Sequence, residues 1–452
     1  MGVNRTESEV TAHNTGRQGF YDVISEGRLF MRGVKFGLVV LAAVLFTLAL
    51  GGLAYAFHSG GVAECGGCHS MHSPKAGGSF LLVGGDASSA CLTCHMHAGD
   101  TGPSSYHIAT ADADMPAGIA PLQRTPGGDF GWLRKSYTFT VRGTTSTEDG
   151  QTHGHNIVAV DTSFVADTAN TTAPGGTFSS AQLGCQSCHE PHGGVRRLAD
   201  GSYVRQSATA GGTTNPIIAS GSYNNSPIPA AGQAVGGYRL LRGLGDNTQG
   251  VTFTGVAIAV APSTYNRTEA TTQTRVAYGA TGINTWGNWC ATCHPDMHSS
   301  GNYVHPVDQS LGSTVQIAYN AYVKTGDLTG TAATSFTSLV PFAENTGDIA
   351  TLQAHAQNND TYLNGPGSSD KVMCLSCHRA HASGWPEALR WNMEGEFMVY
   401  NSLYPGTDTT PTVPQFARGR LGAETQAAYY DRPVTKFGSY QRVLCNKCHA
   451  KD

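Results

Sequence analysis

The sequence is poor in charged residues and has no excess of positive charge. Charged residues make up 13% of the 452 positions, where soluble domains average about 25%. The formal net charge is only −4, so the basic footprint of a nucleic-acid-binding protein is missing, and we expect no nucleic-acid partner. With few ion pairs and 57 glycines, we expect much irregular backbone and a further source of stability.

The sequence also lacks any cysteine outside one repeated unit. All twelve cysteines fall in six Cys-x-x-Cys-His units. These are Cys65-Cys68-His69, Cys91-Cys94-His95, Cys185-Cys188-His189, Cys290-Cys293-His294, Cys374-Cys377-His378 and Cys445-Cys448-His449. Each pair is complete within four residues, which leaves no thiol for a disulfide between distant segments.

The Cys-x-x-Cys-His unit is the signal for attachment of a c-type haem. Two thiols three positions apart lie on one turn and can reach the two vinyl groups of one porphyrin. The histidine that follows can then bind the iron as the proximal ligand. Cysteine and histidine together can also form closed zinc sites, but six copies with the histidine directly after the second cysteine favour haem. We predict six covalently attached haems c.

The six units follow one another at uneven distances, so the sequence has no fixed repeat of the kind that builds a solenoid. The segments between them, for example 142–154 and 207–237, are rich in Gly, Ser, Thr and Asn, which predicts loops. We therefore predict one multihaem cytochrome c domain over residues 57–452. It should be mostly irregular coil, with short helices and few short strands wrapped around a linear file of six haems.

A few regular elements are predicted within this coil. Apolar residues alternate with polar ones over Tyr137–Val141 and within residues 251–260, which predicts short strands. We expect helical turns at each Cys-x-x-Cys-His unit. Longer helices are predicted over residues 386–400 and 423–430.

The N-terminal region 1–56 has the pattern of a signal peptide. Residues 36–56 carry no charge, follow a basic stretch and end in Ala54-Tyr55-Ala56, a small-x-small cleavage signal. We expect cleavage after Ala56 and export, and Met31 would open a signal peptide of ordinary length. The alternative is a retained membrane helix, since the apolar run is long enough to span.

Distal iron ligands are in ample supply. Of the 18 histidines, six are proximal and His13 lies in the leader. Eleven remain: His58, His72, His97, His107, His153, His155, His192, His298, His305, His355 and His381. Methionine is the competing ligand, but Met71, Met96 and Met297 each lie beside a histidine. We expect bis-histidine iron throughout, with His72, His107, His155, His192, His305, His355 and His381 as the distal candidates.

Several spare histidines closely follow a proximal one. His72, His192 and His381 come three positions after it, and His298 comes four after. Such a histidine lies on the same side of the porphyrin as the proximal ligand, so it cannot reach the opposite face of its own haem. It can ligate an adjacent haem, which would pack the haems closely and form a continuous electron path.

Long stretches resemble the filament-forming hexahaem outer-surface c-type cytochromes, across essentially the whole mature chain. The matching stretches are AFHSGGVAECGGCHSMH (56–72), AGDTGPSSYH (98–107), APSTYNRTEATTQTRVAYG (261–279), HRAHASG (378–384) and LCNKCHAKD (444–452). The resemblance implies six bis-histidine haems in a file, little regular secondary structure and helical filaments. It also implies that His72 ligates the fifth haem, at His378, of a neighbouring subunit. His153 and His58 are the least expected ligands, and the segment before Met31 departs from the family pattern.

The function we expect is an electron conduit rather than an enzyme. Its partners would be copies of itself in a head-to-tail filament, periplasmic or outer-membrane donor cytochromes, and extracellular acceptors such as metal oxides or other cells. A multihaem oxidoreductase needs an exchangeable iron site, and the Cys-x-x-Cys-Lys variant of one nitrite reductase family is absent. The third alternative is a monomeric electron shuttle.

Overall fold

The computed structural model describes residues 65–72, 74–75, 79–96, 106–206, 215–263, 273–299 and 305–449. All of them belong to one compact unit, Phe57–Asp452. The predicted signal region 1–56 and the spare histidines His58 and His97 lie outside the described residues. Within the described part of the chain, no helix is long and apolar enough to cross a membrane.

The α-helices are short, and several coincide with the attachment units. They are α1 (Cys65–Cys68), α2 (Ala87–His95), α3 (Cys185–Cys188), α4 (Trp286–Ala291), α5 (Asp296–Ser299), α6 (Gly312–Ala321), α7 (Ile349–His355), α8 (Pro414–Ala417), α9 (Gly422–Ala428) and α10 (Asn446–His449). Helix α2 shows why they form where they do. The Asp86 carboxylate accepts a hydrogen bond from the Ser89 N–H at 2.7 Å, which caps the first turn, and the chain is extended again at Met96.

Single turns of 3₁₀-helix connect many of these elements. They lie at Ser79–Leu81, Asp112–Asp114, Phe130–Arg134, Gly150–His153, Val160–Thr162, Ser180–Gln182, Tyr238–Leu240, Cys374–Ser376, Pro386–Ala388 and Val434–Lys436. Short 3₁₀ pieces are typical connectors where the chain changes direction.

The strands are equally short. They are β1 (Tyr137–Val141), β2 (Thr144–Glu148), β3 (Val195–Arg197), β4 (Tyr203–Arg205), β5 (Ile217–Ala219), β6 (Ala234–Gly236), β7 (Asn247–Thr248), β8 (Val251–Thr252), β9 (Ile258–Val260), β10 (Ala277–Gly279) and β11 (Ala343–Glu344). Strands β1 and β2 form an antiparallel hairpin in which Tyr137 pairs with Glu148. The larger sheets have the orders β4-β3-β6-β5 and β11-β10-β9.

This architecture confirms the predicted fold class, a coil with short helices and few short strands. The strand over Tyr137–Val141 and the helix within residues 423–430 are confirmed. Residues 251–260 form two separate strands rather than one. The prediction of loops over 142–154 and 207–237 is wrong in part. In the first segment, polar Thr and Ser residues form β2 by pairing with β1. The second segment contains β5 and β6.

The helix predicted over residues 386–400 is wrong. Only Pro386–Ala388 forms a 3₁₀ turn, and Glu387 and Ala388 both have a left-handed φ of 54°. Their carbonyls accept hydrogen bonds from His378 Nδ1 at 2.7 Å and from the Arg379 N–H at 2.7 Å. Because these carbonyls are taken by another segment, they cannot serve the i→i+4 ladder of a helix.

The largest apolar core combines aromatic rings with a buried guanidinium. Trp132, Trp385 and Tyr429 are among its members. The guanidinium carbon of Arg420 lies 4.0 Å from the centre of the Tyr137 ring and 4.4 Å from that of Trp385. Each fully buried aromatic side chain contributes about 2 to 3 kcal/mol, so this core anchors the segments that carry the fifth and sixth units.

Candidate haem attachment sites

Each attachment unit forms one tight turn that gathers its two thiols and its histidine. In five units the histidine N–H donates to the carbonyl of the first cysteine. The pairs are His69–Cys65 at 2.8 Å, His189–Cys185 at 3.0 Å, His294–Cys290 at 3.1 Å, His378–Cys374 at 3.0 Å and His449–Cys445 at 3.0 Å. His95 ends helix α2, which contains both cysteines of its unit. The turn therefore presents the three side chains that a c-type haem requires.

Five of the proximal imidazoles are oriented by a backbone carbonyl. The Nδ1 atoms donate to Phe80 O (from His69, 2.9 Å), Tyr106 O (from His95, 2.8 Å), Arg239 O (from His189, 2.7 Å), Pro174 O (from His294, 2.8 Å) and Glu387 O (from His378, 2.7 Å). A carbonyl can only accept, so Nδ1 carries the proton and the Nε2 lone pair is left for a metal. This is the usual way in which a ligating histidine is held, and the donor set fits haem iron.

The first, third and fifth sites, which we call the odd sites, share one backbone arrangement. At each odd site, Nδ1 of the proximal histidine donates to a backbone carbonyl, and the residue that carries this carbonyl is the first of two consecutive residues with left-handed φ. These residue pairs are Phe80 and Leu81, Arg239 and Leu240, and Glu387 and Ala388. The residue after the histidine donates to the carbonyl of the second. These bonds are Ser70 N–Leu81 O, Glu190 N–Leu240 O and Arg379 N–Ala388 O, each 2.7 Å.

A third hydrogen bond completes this odd-site frame. The second residue beyond the left-handed pair donates to the carbonyl of the second cysteine. The pairs are Val83 with Cys68 at 3.0 Å, Arg242 with Cys188 at 2.9 Å and Arg390 with Cys377 at 2.7 Å. The frame therefore closes a small ring of backbone around each odd unit. Sequence patterns had not revealed it, since φ angles and carbonyl acceptors leave no residue signature.

Three pairs of histidine rings lie close together. The ring centres are 6.4 Å apart for His69 and His192, 6.1 Å for His155 and His294, and 6.3 Å for His305 and His449. Two imidazoles on opposite sides of one metal have centres about 6.3 Å apart, since each metal–nitrogen bond is about 2 Å and each nitrogen lies about 1.1 Å from its ring centre. Each pair joins a proximal histidine with a predicted distal candidate.

His381 is a further distal candidate, and its imidazole lies in enclosed surroundings. Its Nδ1 is buried and has no hydrogen-bond partner among the described residues, and its ring stacks on Phe130 with 4.7 Å between centres. Desolvation and, after it, the charge of His189 lower the pKa of His381 to about 3. Desolvation together with His294 lowers the pKa of His155 to about 4. Both rings are held neutral, the form that binds a metal.

The remaining candidates lie in different surroundings. His72 is exposed. His107 is buried beside Tyr106, with 4.4 Å between ring centres. His355 Nδ1 bonds to Glu344 at 2.6 Å, and its ring stacks 4.1 Å from that of Tyr362. No proximal ring lies beside His355 in the part of the chain that the structure describes.

Two other spare histidines are engaged with carboxylates. His153 uses both ring nitrogens, Nδ1 to Trp132 O at 2.9 Å and Nε2 to Glu148 Oε1 at 2.7 Å. No nitrogen of His153 is left for iron. The Nε2 of His298 bonds to Asp308 at 3.0 Å.

The cysteines of successive units are neighbours in space. The Cys91 and Cys185 thiols share a hydrogen bond that raises the pKa of Cys91. Cys290 and Cys374 share another, which raises the pKa of Cys290. Among the described residues, no three His, Cys, Asp or Glu side chains converge to hold a single metal ion. Successive units are thus neighbours in space as well as in sequence.

The chain is similar in sequence to a known cytochrome. No known protein-family profile matches the chain. It is 52% identical over 448 residues to the C-type cytochrome OmcS of Geobacter sulfurreducens, which covers 93% of this chain and the whole of that protein.

Two solved structures match the fold, one of OmcS nanowires and one of the Outer Membrane Cytochrome S filament, both from Geobacter sulfurreducens. Their TM-scores are 0.79 and 0.77, each with 50% identity, 88% of this chain and all of that chain covered.

Proposed function

Because this chain belongs to the OmcS family of c-type cytochromes, which transfer electrons and are not enzymes, we propose that it holds six haems c in a file and passes electrons through a filament of its own copies. Each haem, when bound, supplies a one-electron redox centre. The observation that supports this most is the set of three close histidine pairs, whose ring-centre distances would suit two histidines that hold one iron. Closed coordination suits electron transfer and leaves no open iron position for a substrate.

These histidine pairs are the basis for the set of distal iron ligands that we propose. His192 would complete the first site opposite His69, His155 the fourth opposite His294, and His305 the sixth opposite His449. His381 would complete the third site, since His189 is the charged group that most affects its pKa.

A simple rule connects the histidines that follow a proximal ligand by three positions. His192 follows the third unit and faces the first, and His381 follows the fifth unit and approaches the third. In both cases the histidine is assigned to the site two units earlier. Applied to the first unit, this rule would assign His72 to the fifth unit of a preceding copy. His72 is exposed, and no histidine ring of the described residues faces His378. We propose that His72 ligates the fifth haem of the neighbouring subunit.

Such a contact is heterologous, and if its rotation does not close, it generates an open filament. The solved structures of OmcS are filaments, which supports polymerisation of this chain. We also propose cleavage after Ala56, export to the cell surface, electron supply by periplasmic or outer-membrane cytochromes, and extracellular acceptors such as metal oxides or other cells.

The His72→Ala variant tests this function. We expect six attached haems by intact mass, no filaments by electron microscopy, and one haem per subunit with an altered spin state that binds carbon monoxide when reduced. Wild-type filaments should bind carbon monoxide poorly. His298→Ala is the matched control, because His298 also follows a proximal ligand but is bonded to Asp308, and it should polymerise normally. Normal filaments from His72→Ala would contradict the proposal, and fewer than six haems in the wild type would contradict the count.

A further inference from the structure

The candidate distal histidine of the first site bonds to a carboxylate. The Nδ1 of His192 donates to Glu190 Oε1 at 3.0 Å, and the backbone N–H of His192 donates to the same oxygen at 3.0 Å. An ionised carboxylate can only accept, so Nδ1 carries the proton. The Nε2 lone pair of His192 is therefore left for a metal.

A short turn holds this carboxylate in place. The Gly193 N–H donates to the Glu190 carbonyl at 3.0 Å, so that Pro191 and His192 occupy the centre of the turn. Proline is favoured at the second position of such a turn and glycine at the fourth. The second carboxylate oxygen, Oε2, accepts from the Gly194 N–H. The Glu190 side chain is only 17% exposed, so its place against the imidazole is built into the turn.

The three odd units differ at this position of the chain. The residue after the proximal histidine is Ser70 in the first unit, Glu190 in the third and Arg379 in the fifth. The Arg379 guanidinium carbon lies 3.5 Å from the centre of the Tyr430 ring, and the Nδ1 of His381 has no hydrogen-bond partner among the described residues. An acid at this position is therefore a feature of the third unit and not of the odd-site frame.

Two other distal candidates show what is particular about Glu190. The Nδ1 of His155 donates to a backbone carbonyl at 2.7 Å, which carries no net charge. The Nδ1 of His355 donates to Glu344 at 2.6 Å, but Arg275 bonds to the other oxygen of that carboxylate at 3.0 Å and offsets its charge. None of the described lysines and arginines pairs with Glu190, whose partner is the histidine alone.

We propose that Glu190 is a positioning residue that lowers the reduction potential of the haem whose iron His192 ligates, the first in the proposed ligand set. The inference rests on the proposed function. A hydrogen bond from Nδ1 to a carboxylate makes an imidazole a stronger electron donor, and such hydrogen bonding is one of the ways in which a protein sets the potential of a haem. Oxidised iron carries one more positive charge than reduced iron, so both the stronger donor and the nearby negative charge favour the oxidised form. The first haem would then hold an electron less often than it would with a neutral acceptor, and each electron would cross this step once per subunit.

The test is reduction of the purified haem-loaded protein at a series of applied potentials, monitored by electron paramagnetic resonance. The low-spin signal that is lost in His192→Ala identifies the haem. In Glu190→Gln this signal should be reduced at a higher potential, with an about tenfold change in its ratio of oxidised to reduced iron, which for one electron corresponds to about 59 mV. Its g values should change as well.

Two further variants separate the charge from the shape of the turn. Glu190→Asp keeps the charge, and its signal should stay closer to the wild-type potential than that of Glu190→Gln. Asp200→Asn is the matched control, because it removes one charge from the turn between β3 and β4, where Asp200 accepts from the N–H and hydroxyl of Ser202. It should leave the potential of the first haem unchanged, and an equal shift in this control would overturn the inference.

The outcomes distinguish the inference from the proposed function. If His192→Ala keeps every low-spin signal, His192 is not an iron ligand, and the proposed ligand set is wrong together with the inference. If His192→Ala loses one signal but Glu190→Gln leaves or lowers the potential of that signal, only the inference is wrong. If Glu190→Gln fails to take up its haems, the wild type decides. Its His192 signal should be reduced at a lower potential than the signal lost in His155→Ala, and the reverse order would overturn the inference.

Discussion

The odd and even sites reach the same ligand chemistry by different routes. At the odd sites the carbonyl that orients the proximal histidine comes 11, 50 and 9 residues later, yet the surrounding hydrogen bonds are the same. At the even sites His95 uses Tyr106, 11 residues on, and His294 uses Pro174, 120 residues back. The odd sites thus share one frame, whereas the second and fourth sites each use whichever segment lies near.

The third site shows how tolerant the odd-site frame is. Its 50-residue insertion between His189 and Arg239 contains the whole sheet β4-β3-β6-β5, and the frame still closes with bonds of 2.7 to 2.9 Å. The entropy of loop closure grows only slowly with loop length, so an insertion here costs little. In the proposed ligand set, the frame matters because the odd units also carry the histidines that would serve a neighbouring odd site.

Removal of one haem should produce the largest difference between the two classes. We expect Cys185→Ser with Cys188→Ser, at the third site, to lose one haem by mass but two low-spin signals by electron paramagnetic resonance. Without its haem, the third unit no longer holds His192 opposite His69. The equivalent even-site change, Cys290→Ser with Cys293→Ser, should lose one haem and one signal. Equal losses of signal in the two variants would remove the proposed distinction.

Truncation of the buried Glu148 should give the next largest effect. Its carboxylate accepts bonds from His153 at 2.7 Å and Arg418 at 3.0 Å, and it also contacts Arg420. Glu148→Ala would leave the buried Arg420 guanidinium without its carboxylate partner, which costs about 3 to 5 kcal/mol in the free energy of unfolding.

The Glu148 cluster also connects odd and even sites. The His153 carbonyl accepts from the Ser383 N–H at 3.0 Å, and His155 Nδ1 donates to Ala380 O at 2.7 Å. Denaturant unfolding of the haem-loaded protein measures the effect of Glu148→Ala. The control is Glu396→Ala, whose exposed pair with Arg442 contributes about 0 to 1 kcal/mol, and equal destabilisation by both changes would argue against the cluster.

The fold class and the attachment units could be predicted because their signals are local. A thiol pair with an adjacent histidine needs only one turn, and the alternation over Tyr137–Val141 needs only one strand. The odd-site frame could not be predicted, since the carbonyls of Glu387 and Ala388 are taken by a segment nine residues away. The pairing of His192 with His69 depends on how the third unit folds back, so sequence alone could name His192 only as a candidate.

Acid should progressively weaken the Glu148 cluster below about pH 4.5. Burial raises the pKa of Glu148, but His153 and Arg420 outweigh it and hold the pKa at about 2. Since the folded carboxyl has the lower pKa, its contribution is present above about pH 4.5, the ordinary value, and is lost as the pH falls through 2. We expect the unfolding free energy of the wild type to decline over this interval. The Glu148→Gln variant, already weaker at neutral pH, should decline less, and parallel pH curves for the two proteins would rule this group out as the cause.

The smallest effect should have opposite signs at an odd and an even site. Glu387 orients His378 through its carbonyl at a left-handed φ of 54°, a conformation that costs a residue with a side chain about 1 kcal/mol relative to glycine. Glu387→Gly should therefore stabilise the protein by roughly this amount, because the exposed side chain is not needed for the bond. Pro174 orients His294 at the fourth site through its own carbonyl, and Pro174→Gly should destabilise by about 1 kcal/mol, because glycine gives the unfolded chain more freedom. Thermal unfolding of the two variants and of the wild type measures the sign of each change in stability. Destabilisation by Glu387→Gly would show that the odd-site frame depends on that side chain rather than on its backbone.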